Sequence, residues 1–327
     1  MKMIAYAVND EERVFFDRYA SSYAVELTLV EEKPSLQNAE LAVGMDAVNV
    51  LSDVVITDAI YDRWKALGVR LAVTRTIGAE HMNLAYAKKI GMKVCNISYS
   101  PASVADYAIM MMLMVLRHIK PMLLRYAGQD YTAAGVRGRE LPNMTVGVVG
   151  TGRIGSTLIR HLSGFGCRIL AWSRTVNPEL QALCEYVDLD TLLAESDILT
   201  LHLASNPDTL HFMNAERFAA VKPGAVLINT GRGALVDSAA LIDALERGQL
   251  SGAGLDMIDG DRSIYYRDFK NRLVPSREMA ILNAMPNVLM LPHMAYYTDQ
   301  ASDDMVRMGI ENALRILDGA PCSYQLA

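Results

Sequence analysis

The chain has 327 residues, 51% of them hydrophobic and 21% charged, with a formal net charge of −6. That composition supplies ample apolar material for a folded core, the length suits two domains, and the charge argues against nucleic-acid or anionic-membrane partners. The four cysteines, Cys95, Cys167, Cys184 and Cys322, show no C-x-x-C spacing, which excludes a zinc-ribbon pattern and fits the reduced thiols of a cytoplasmic protein.

The opening MKMIAYAVNDEERVFF turns acidic at once, unlike a secretory leader. In the first hundred residues, short runs rich in valine and isoleucine (KMIAYAV, DAVNVL, RLAVTRT, KVCNIS) predict strands separated by helical stretches such as TDAIYDRWKALG. A long helix is expected from Ser103 to Tyr126, with Asp106 suiting its N-terminal dipole as a candidate cap. Its apolar run from Ala108 to Leu116 is too short to span a bilayer and reads as a buried or interface helix. Further strands follow at TVGVV, ILAW, DILTLHL, AVLINTG, GAGLDM and NVLMLPH, and an amphipathic helix closes the chain over Ala301 to Leu317. Strands alternating with helices in this way predict an α/β fold with parallel sheets covered by helices on both faces.

VVGTGRIG places Gly150, Gly152 and Gly155 in a G-x-G-x-x-G pattern between a strand and a helix, the context that a dinucleotide fingerprint requires. Gly150 allows the tight turn, Gly152 lets the backbone approach a pyrophosphate, and Gly155 lets the helix pack on the strand. The helix N-terminus, with Arg153 and Ile154 in its first turn, then receives the phosphates. In NAD-binding versions an acidic residue ends the next strand and hydrogen-bonds the ribose 2′-OH. Here that strand ends on Ser173, Arg174 and Thr175, and Glu179 lies several residues beyond. A hydroxyl and a guanidinium donate to a 2′-phosphate where a carboxylate would repel it, so these residues predict NADP as the preferred cofactor. The alternative is that Arg174 is a solvated surface cation and NAD serves as well.

Ligands of open α/β sheets bind beyond the carboxyl ends of the strands. Three strands of the second half end in polar residues there: Arg232 after AVLINTG, Asp256 (with Asp259 and Asp261 beyond) after GAGL, and His293 after NVLML. An arginine that clamps a carboxylate bidentately, a histidine that titrates near neutrality and a carboxylate that steadies it suit hydride transfer to a 2-oxo acid. The other five histidines have no such claim from position, and His202, inside LTLHLA, reads as a core residue.

These segments, together with TRTIGAEHMNLAYAKKIGMKVCNISYSPASVADYA, resemble the D-2-hydroxyacid dehydrogenase family, and the D-lactate dehydrogenase branch with its vancomycin-resistance type most of all. The resemblance runs from about Asp46 to the C-terminus. It implies two doubly wound domains: a flavodoxin-like catalytic domain of residues 1–100 and 297–327, and a Rossmann coenzyme domain of residues 101–296. It also implies Arg232 as the substrate-binding arginine, His293 as the acid/base, and Asp261 in the place of the family's glutamate, with Asp259 a competing partner for the histidine. Asp256 and Thr230 are assigned to the cofactor side. The Ile77 and Gly78 N–H groups are assigned to the substrate carboxylate, and Tyr99 and Tyr296 to the active-site lining. Leu51 stands where lactate-specialised members seat a tyrosine, which points to 2-oxo acids bulkier than pyruvate, such as 2-oxoisocaproate or phenylpyruvate, without excluding pyruvate. A homodimer follows from the same resemblance, with the methionine-rich helix and its continuation as the contact arm or, alternatively, as buried core. A nucleotide-sensing, corepressor-like protein and a phosphoglycerate-type dehydrogenase are the competing functions.

Overall fold

The computed structural model describes residues 1–52, 54–260 and 264–327. The chain divides into two compact units, Met1–Ser100 with Tyr297–Ala327, and Pro101–Tyr296.

The first unit is built on five parallel strands: β1 (Lys2–Ala5), β2 (Glu26–Leu29), β3 (Ala47–Val50), β4 (Leu71–Thr74) and β5 (Lys93–Cys95), in the order β2-β1-β3-β4-β5. β3 and β4 are buried on both faces, as central parallel strands must be, which is why their sequences are mostly apolar without alternation, the buried Asn49 and Thr74 excepted. Helix α1 (Asp10–Tyr23) starts at a capping box: Asn9 Oδ1 accepts the Glu12 N–H at 2.8 Å, and Glu12 reaches back to the Asn9 N–H. Helices α2 (Asp58–Ala66) and α3 (Leu84–Lys89) cover one face, where Tyr61, Trp64 and Ala87 are fully buried. The other face receives α1 and the C-terminal helix Asp299–Leu317, which seats Val306, Ile310, Ala313 and Ile316 against Ala47, Leu71 and Val73. β2, a half-exposed edge strand, carries too little apolar signal to have been read from the sequence.

The second unit opens with α4 (Ala102–Leu116) and α5 (Ile119–Ala127), two helices bent by 65° where one continuous helix was expected. Pro121 explains the break. In an unbroken helix its ring would clash with the carbonyl of Arg117 and leave that carbonyl without an N–H donor. With His118 in a left-handed turn (φ 51°), Pro121 falls instead in the first turn of α5, where proline is tolerated. Asp106 does not cap α4, whose N-cap is Pro101; it lies a full turn inside the helix and bonds His161 Nδ1 at 2.6 Å.

Seven parallel strands follow, β6 (Thr145–Val149), β7 (Arg168–Trp172), β8 (Glu185–Tyr186), β9 (Ile198–Leu201), β10 (Ala225–Asn229), β11 (Leu250–Leu255) and β12 (Val288–Met290), in the order β12-β11-β10-β9-β6-β7-β8. The chain runs from β6 to β7 on one side and returns to β9 on the other, so a topological switch point lies at the end of β6. Helix α6 (Arg153–Leu162) lies with α4 on one face, and α7 (Leu189–Glu195), α8 (Ala215–Ala220), α9 (Ser238–Glu246) and α10 (Arg277–Ala284) complete the unit. α4 is core: Met111 and Met112 are fully buried, and a Cβ on Gly254 would come within 3.2 Å of the Met111 methyl group. α5 buries none of its residues and exposes Leu123, Leu124 and Tyr126. Among the described residues no single helix is long and apolar enough to cross a membrane.

Candidate active site

The glycine loop occupies the switch point between β6 and α6. Gly150 has φ +97°, donates its N–H to Trp172 O at 2.8 Å, and would bring a Cβ to 2.7 Å from His202 O, so no side chain fits there. A Cβ on Gly155 would lie 2.0 Å from Gly150 O, so the first turn of α6 packs directly on the loop that leaves β6. Gly152 differs: its Cβ would meet no atom within 4 Å, and it is the N-cap of α6 without any side-chain oxygen capping the helix. An open approach over the start of a ten-residue helix, followed by Arg153 and Ile154, is a cradle for an anionic group. Thr230, at the end of β10, adds a buried hydroxyl with no partner among the described residues. These features fit a dinucleotide.

After β7, Ser173 is half-buried while Arg174 and Thr175 are exposed. Glu179, the next carboxylate along the chain, is engaged by Arg160 at 2.7 Å. Tyr186, on the two-residue edge strand β8, ties this segment to the glycine loop: its hydroxyl donates to Thr151 Oγ1 (3.0 Å) and accepts from the Asn177 N–H (3.1 Å). Sequence reasoning missed Tyr186, because a two-residue strand has no periodicity to detect.

Arg232, Asp256 and His293 stand at the carboxyl ends of three neighbouring strands, β10, β11 and β12. The turn to Arg232 is shaped by Asn229, a wholly buried residue also missed in the sequence. Its Oδ1 accepts the Gly231 N–H (3.0 Å), and its Nδ2 donates to Arg232 O (3.0 Å). Asp256 is likewise wholly buried. Its two carboxylate oxygens accept the N–H groups of Met294 (2.9 Å) and Ala295 (3.0 Å), and its carbonyl accepts that of His293 (2.9 Å). Burial pushes this carboxyl above the ordinary aspartate range, opposed by those backbone donors and by the Tyr107 hydroxyl. Asp256 therefore secures the backbone of the histidine segment. His293 itself adopts φ 57°, a left-handed conformation uncommon outside glycine. Its ring lies among Tyr266 (5.5 Å between centroids), Tyr296 (5.9 Å) and Tyr265 (6.2 Å), and its carbonyl accepts the Tyr266 hydroxyl at 2.9 Å.

Asp261 lies outside the described residues. The competing partner for His293, Asp259, is engaged elsewhere: its carboxylate accepts His211 Nε2 at 2.9 Å. His202, expected in the core, is only half-buried; its Nε2 pairs with the Thr200 hydroxyl at 2.9 Å, and desolvation lowers its pKa to about 4.

In the first unit, Arg75 is fully buried and donates to Tyr6 O (2.9 Å), Ala7 O (2.8 Å), Asn49 Oδ1 (3.2 Å) and the Glu12 carboxylate (3.2 Å). It anchors the start of the Ile77–Gly78 loop. Within the loop, Thr76 Oγ1 donates to Gly78 O (2.7 Å), so Thr74 must donate to Thr76 (2.7 Å) and accept from His81 Nε2 (3.0 Å). Asn96 Nδ2 donates to Ile77 O at 2.7 Å. Leu51, just past β3, and Tyr99 are half-buried.

A family model described as the NAD binding domain of D-isomer specific 2-hydroxyacid dehydrogenase matches residues 109–295. The chain is 40% identical over 309 residues to a D-specific alpha-keto acid dehydrogenase of Enterococcus faecium, covering 94% of this chain and 95% of that protein. It is 33% identical over 314 residues to an aromatic 2-oxoacid reductase of Clostridium sporogenes, covering 95% of each. The crystal structure of a D-lactate dehydrogenase from Treponema pallidum superposes with a TM-score of 0.92 at 30% identity, over 99% of both chains. Identity at this level over nearly the full length of each relative, with the glycine cradle and strand-end residues in place, means that the chain belongs to the D-isomer specific 2-hydroxyacid dehydrogenase family and is an oxidoreductase acting on CH–OH donors.

Proposed function

We propose that the protein reduces apolar 2-oxo acids, pyruvate or bulkier ones such as 2-oxoisocaproate and phenylpyruvate, to D-2-hydroxy acids, using NADPH in preference to NADH. The observation that carries the reaction is the set of Arg232, Asp256 and His293 at the ends of three adjacent strands. The reduced nicotinamide supplies the hydride when bound. Arg232 holds the substrate carboxylate through paired N–H donors and draws electron density from the neighbouring ketone. His293 gives its proton to the ketone oxygen as C2 is reduced, and takes a proton back in the reverse direction. Asp256 keeps the His293 backbone in its left-handed turn. Ile77, Gly78, Tyr99 and Leu51, which belong to the first unit, are assigned to the substrate on family resemblance, as is the support of His293 by Asp261.

The cofactor preference is supported by the exposed Arg174 beside Ser173 and Thr175, and by the engagement of Glu179 with Arg160. The four free thiols support a cytoplasmic setting. The exposed Leu123, Leu124, Tyr126 and Tyr131 on and after α5 support a homodimer. Following NAD(P)H absorbance with pyruvate, 2-oxoisocaproate and phenylpyruvate tests the reading. The wild type should show a kcat/KM at least about tenfold higher with NADPH. Arg174→Ser should lose most of that advantage while NADH turnover stays, since one bidentate charged contact is worth about 1.5–3 kcal/mol. Equal use of both cofactors would refute the preference and leave the dehydrogenase standing.

A further inference from the structure

His211 carries an arrangement that its sequence position did not suggest. It lies in the loop between β9 and α8 and is stitched to the turn that begins at Arg232. Its N–H donates to Ala234 O (2.7 Å), the Met213 N–H to Leu235 O (2.9 Å), and the Asp237 N–H to Met213 O (3.0 Å), with a parallel bridge between Met213 and Val236. Its ring reaches the segment after β11, where Nε2–H donates to Asp259 Oδ2 at 2.9 Å. A third contact closes the arrangement. A Cβ on Gly233 would lie 1.9 Å from Ile258 O and 2.6 Å from the Asp259 N, so the turn after Arg232 rests directly on the Ile258–Asp259 backbone. One residue thus bonds the Arg232 turn through its backbone and the support beneath that turn through its ring.

We propose that His211 is a positioning residue for the reaction: with Asp259 it fixes the Arg232 turn on the segment leaving β11, and so sets the geometry with which Arg232 meets the substrate carboxylate. The inference rests on the reading of Arg232 as the carboxylate clamp. Two observations separate this role from a stabilising one. The His211 and Asp259 side chains are 40% and 42% exposed, and a pair so solvated adds little to stability. His211 also adopts φ +48°, a conformation more readily taken by asparagine, so its ring reach is what distinguishes histidine at this position.

The test uses that distinction. His211→Asn keeps the left-handed backbone but falls short of Asp259, whereas His211→Gln places an N–H donor near the position of Nε2. The Asn variant should raise KM for the 2-oxo acid about tenfold, with a smaller change in kcat. Its dissociation constant for NADH and NADPH, read by fluorescence titration, should stay within about twofold, and its Tm should move by no more than about 2 °C. The Gln variant should recover KM to within about threefold of wild type, and Asp259→Ala should match the Asn variant, with the double variant no worse than either single one. An unchanged KM in His211→Asn, additive effects in the double variant, or a parallel loss of cofactor affinity would each overturn the proposal. Arg232→Lys, measured alongside, separates the two readings. If it raises KM while His211→Asn does not, the positioning role alone fails; if it leaves KM unchanged, the clamp and the positioning role fail together.

Discussion

Asp256→Asn should separate activity from stability. The wild-type carboxylate is wholly buried, accepts the N–H groups of Met294 and Ala295, and takes the Tyr107 hydroxyl as well. Asparagine keeps the shape but presents an NH₂ group to one of those backbone donors. Setting donor against donor costs about 1–3 kcal/mol, and exchanging charge-assisted bonds for neutral ones costs about 1 kcal/mol each. Against this, the variant no longer carries the desolvation of a buried carboxylate, which is several kcal/mol for an ion in such a site. The opposing effects leave stability within about 2 kcal/mol of wild type, a Tm change of a few degrees. Catalysis has no such compensation. The carboxylate holds the two residues after His293, and a displacement of the ring by about 1 Å costs roughly 100-fold in kcat/KM. The pH dependence gives a second readout. Burial raises the Asp256 pKa, so its contribution to stability is greatest in acid and is lost as pH rises through the native value; removing the titration should flatten that part of the stability profile. Thermal unfolding from pH 4 to 8, with kcat/KM for the best 2-oxo acid, measures both. A variant within about threefold of wild-type activity would refute the anchoring role, and an activity loss matched by general unfolding would refute the compensation.

The two later glycines of the loop should fail differently. Gly155→Ala forces a Cβ onto a backbone carbonyl 2.0 Å away and should destabilise the second unit by about 1–3 kcal/mol as well as abolish cofactor binding. Gly152→Ala meets open space, so Tm should hold while NADH and NADPH affinity falls at least tenfold; unchanged affinity by fluorescence titration would refute the cradle. His202, held near pKa 4 by desolvation, stays neutral while the unfolded chain protonates at about 6.5, so stability is full above pH 6.5 and lost as pH falls toward 4. The displacement corresponds to about 3 kcal/mol, and denaturant titrations at pH 7 and pH 4.5 should show a shallower acid loss in His202→Gln than in wild type.

Much of the molecule was legible before any coordinates. Val/Ile runs alternating with helices specify parallel strands because such strands are buried on both faces and cannot alternate. Glycines at Gly150 and Gly155 are demanded by backbone approaches that no other residue allows, and that demand appears in the sequence as spacing. The strand-end positions of Arg232, Asp256 and His293 follow from the same local pattern. What escaped detection lacks a local signature: the edge strands β2 and β8, too short or too polar to show a period, and the break before Pro121, which a long apolar run concealed.

The division follows from the range of the interactions involved. Secondary structure, the glycine spacing and the residue types at strand ends are patterns a few residues long, so a linear chain displays them. Which partner each polar group takes is a contest among residues distant in the chain and close in space. Asp256 secures the histidine segment 38 residues away, Asp259 bonds His211 across 48, and Glu179 bonds Arg160 across 19. A carboxylate in the sequence announces only that it needs donors. Folding determines which donors reach it, because the hydrogen bond tolerates errors of only a few tenths of an ångström and only the packed sheet brings the loops within that range.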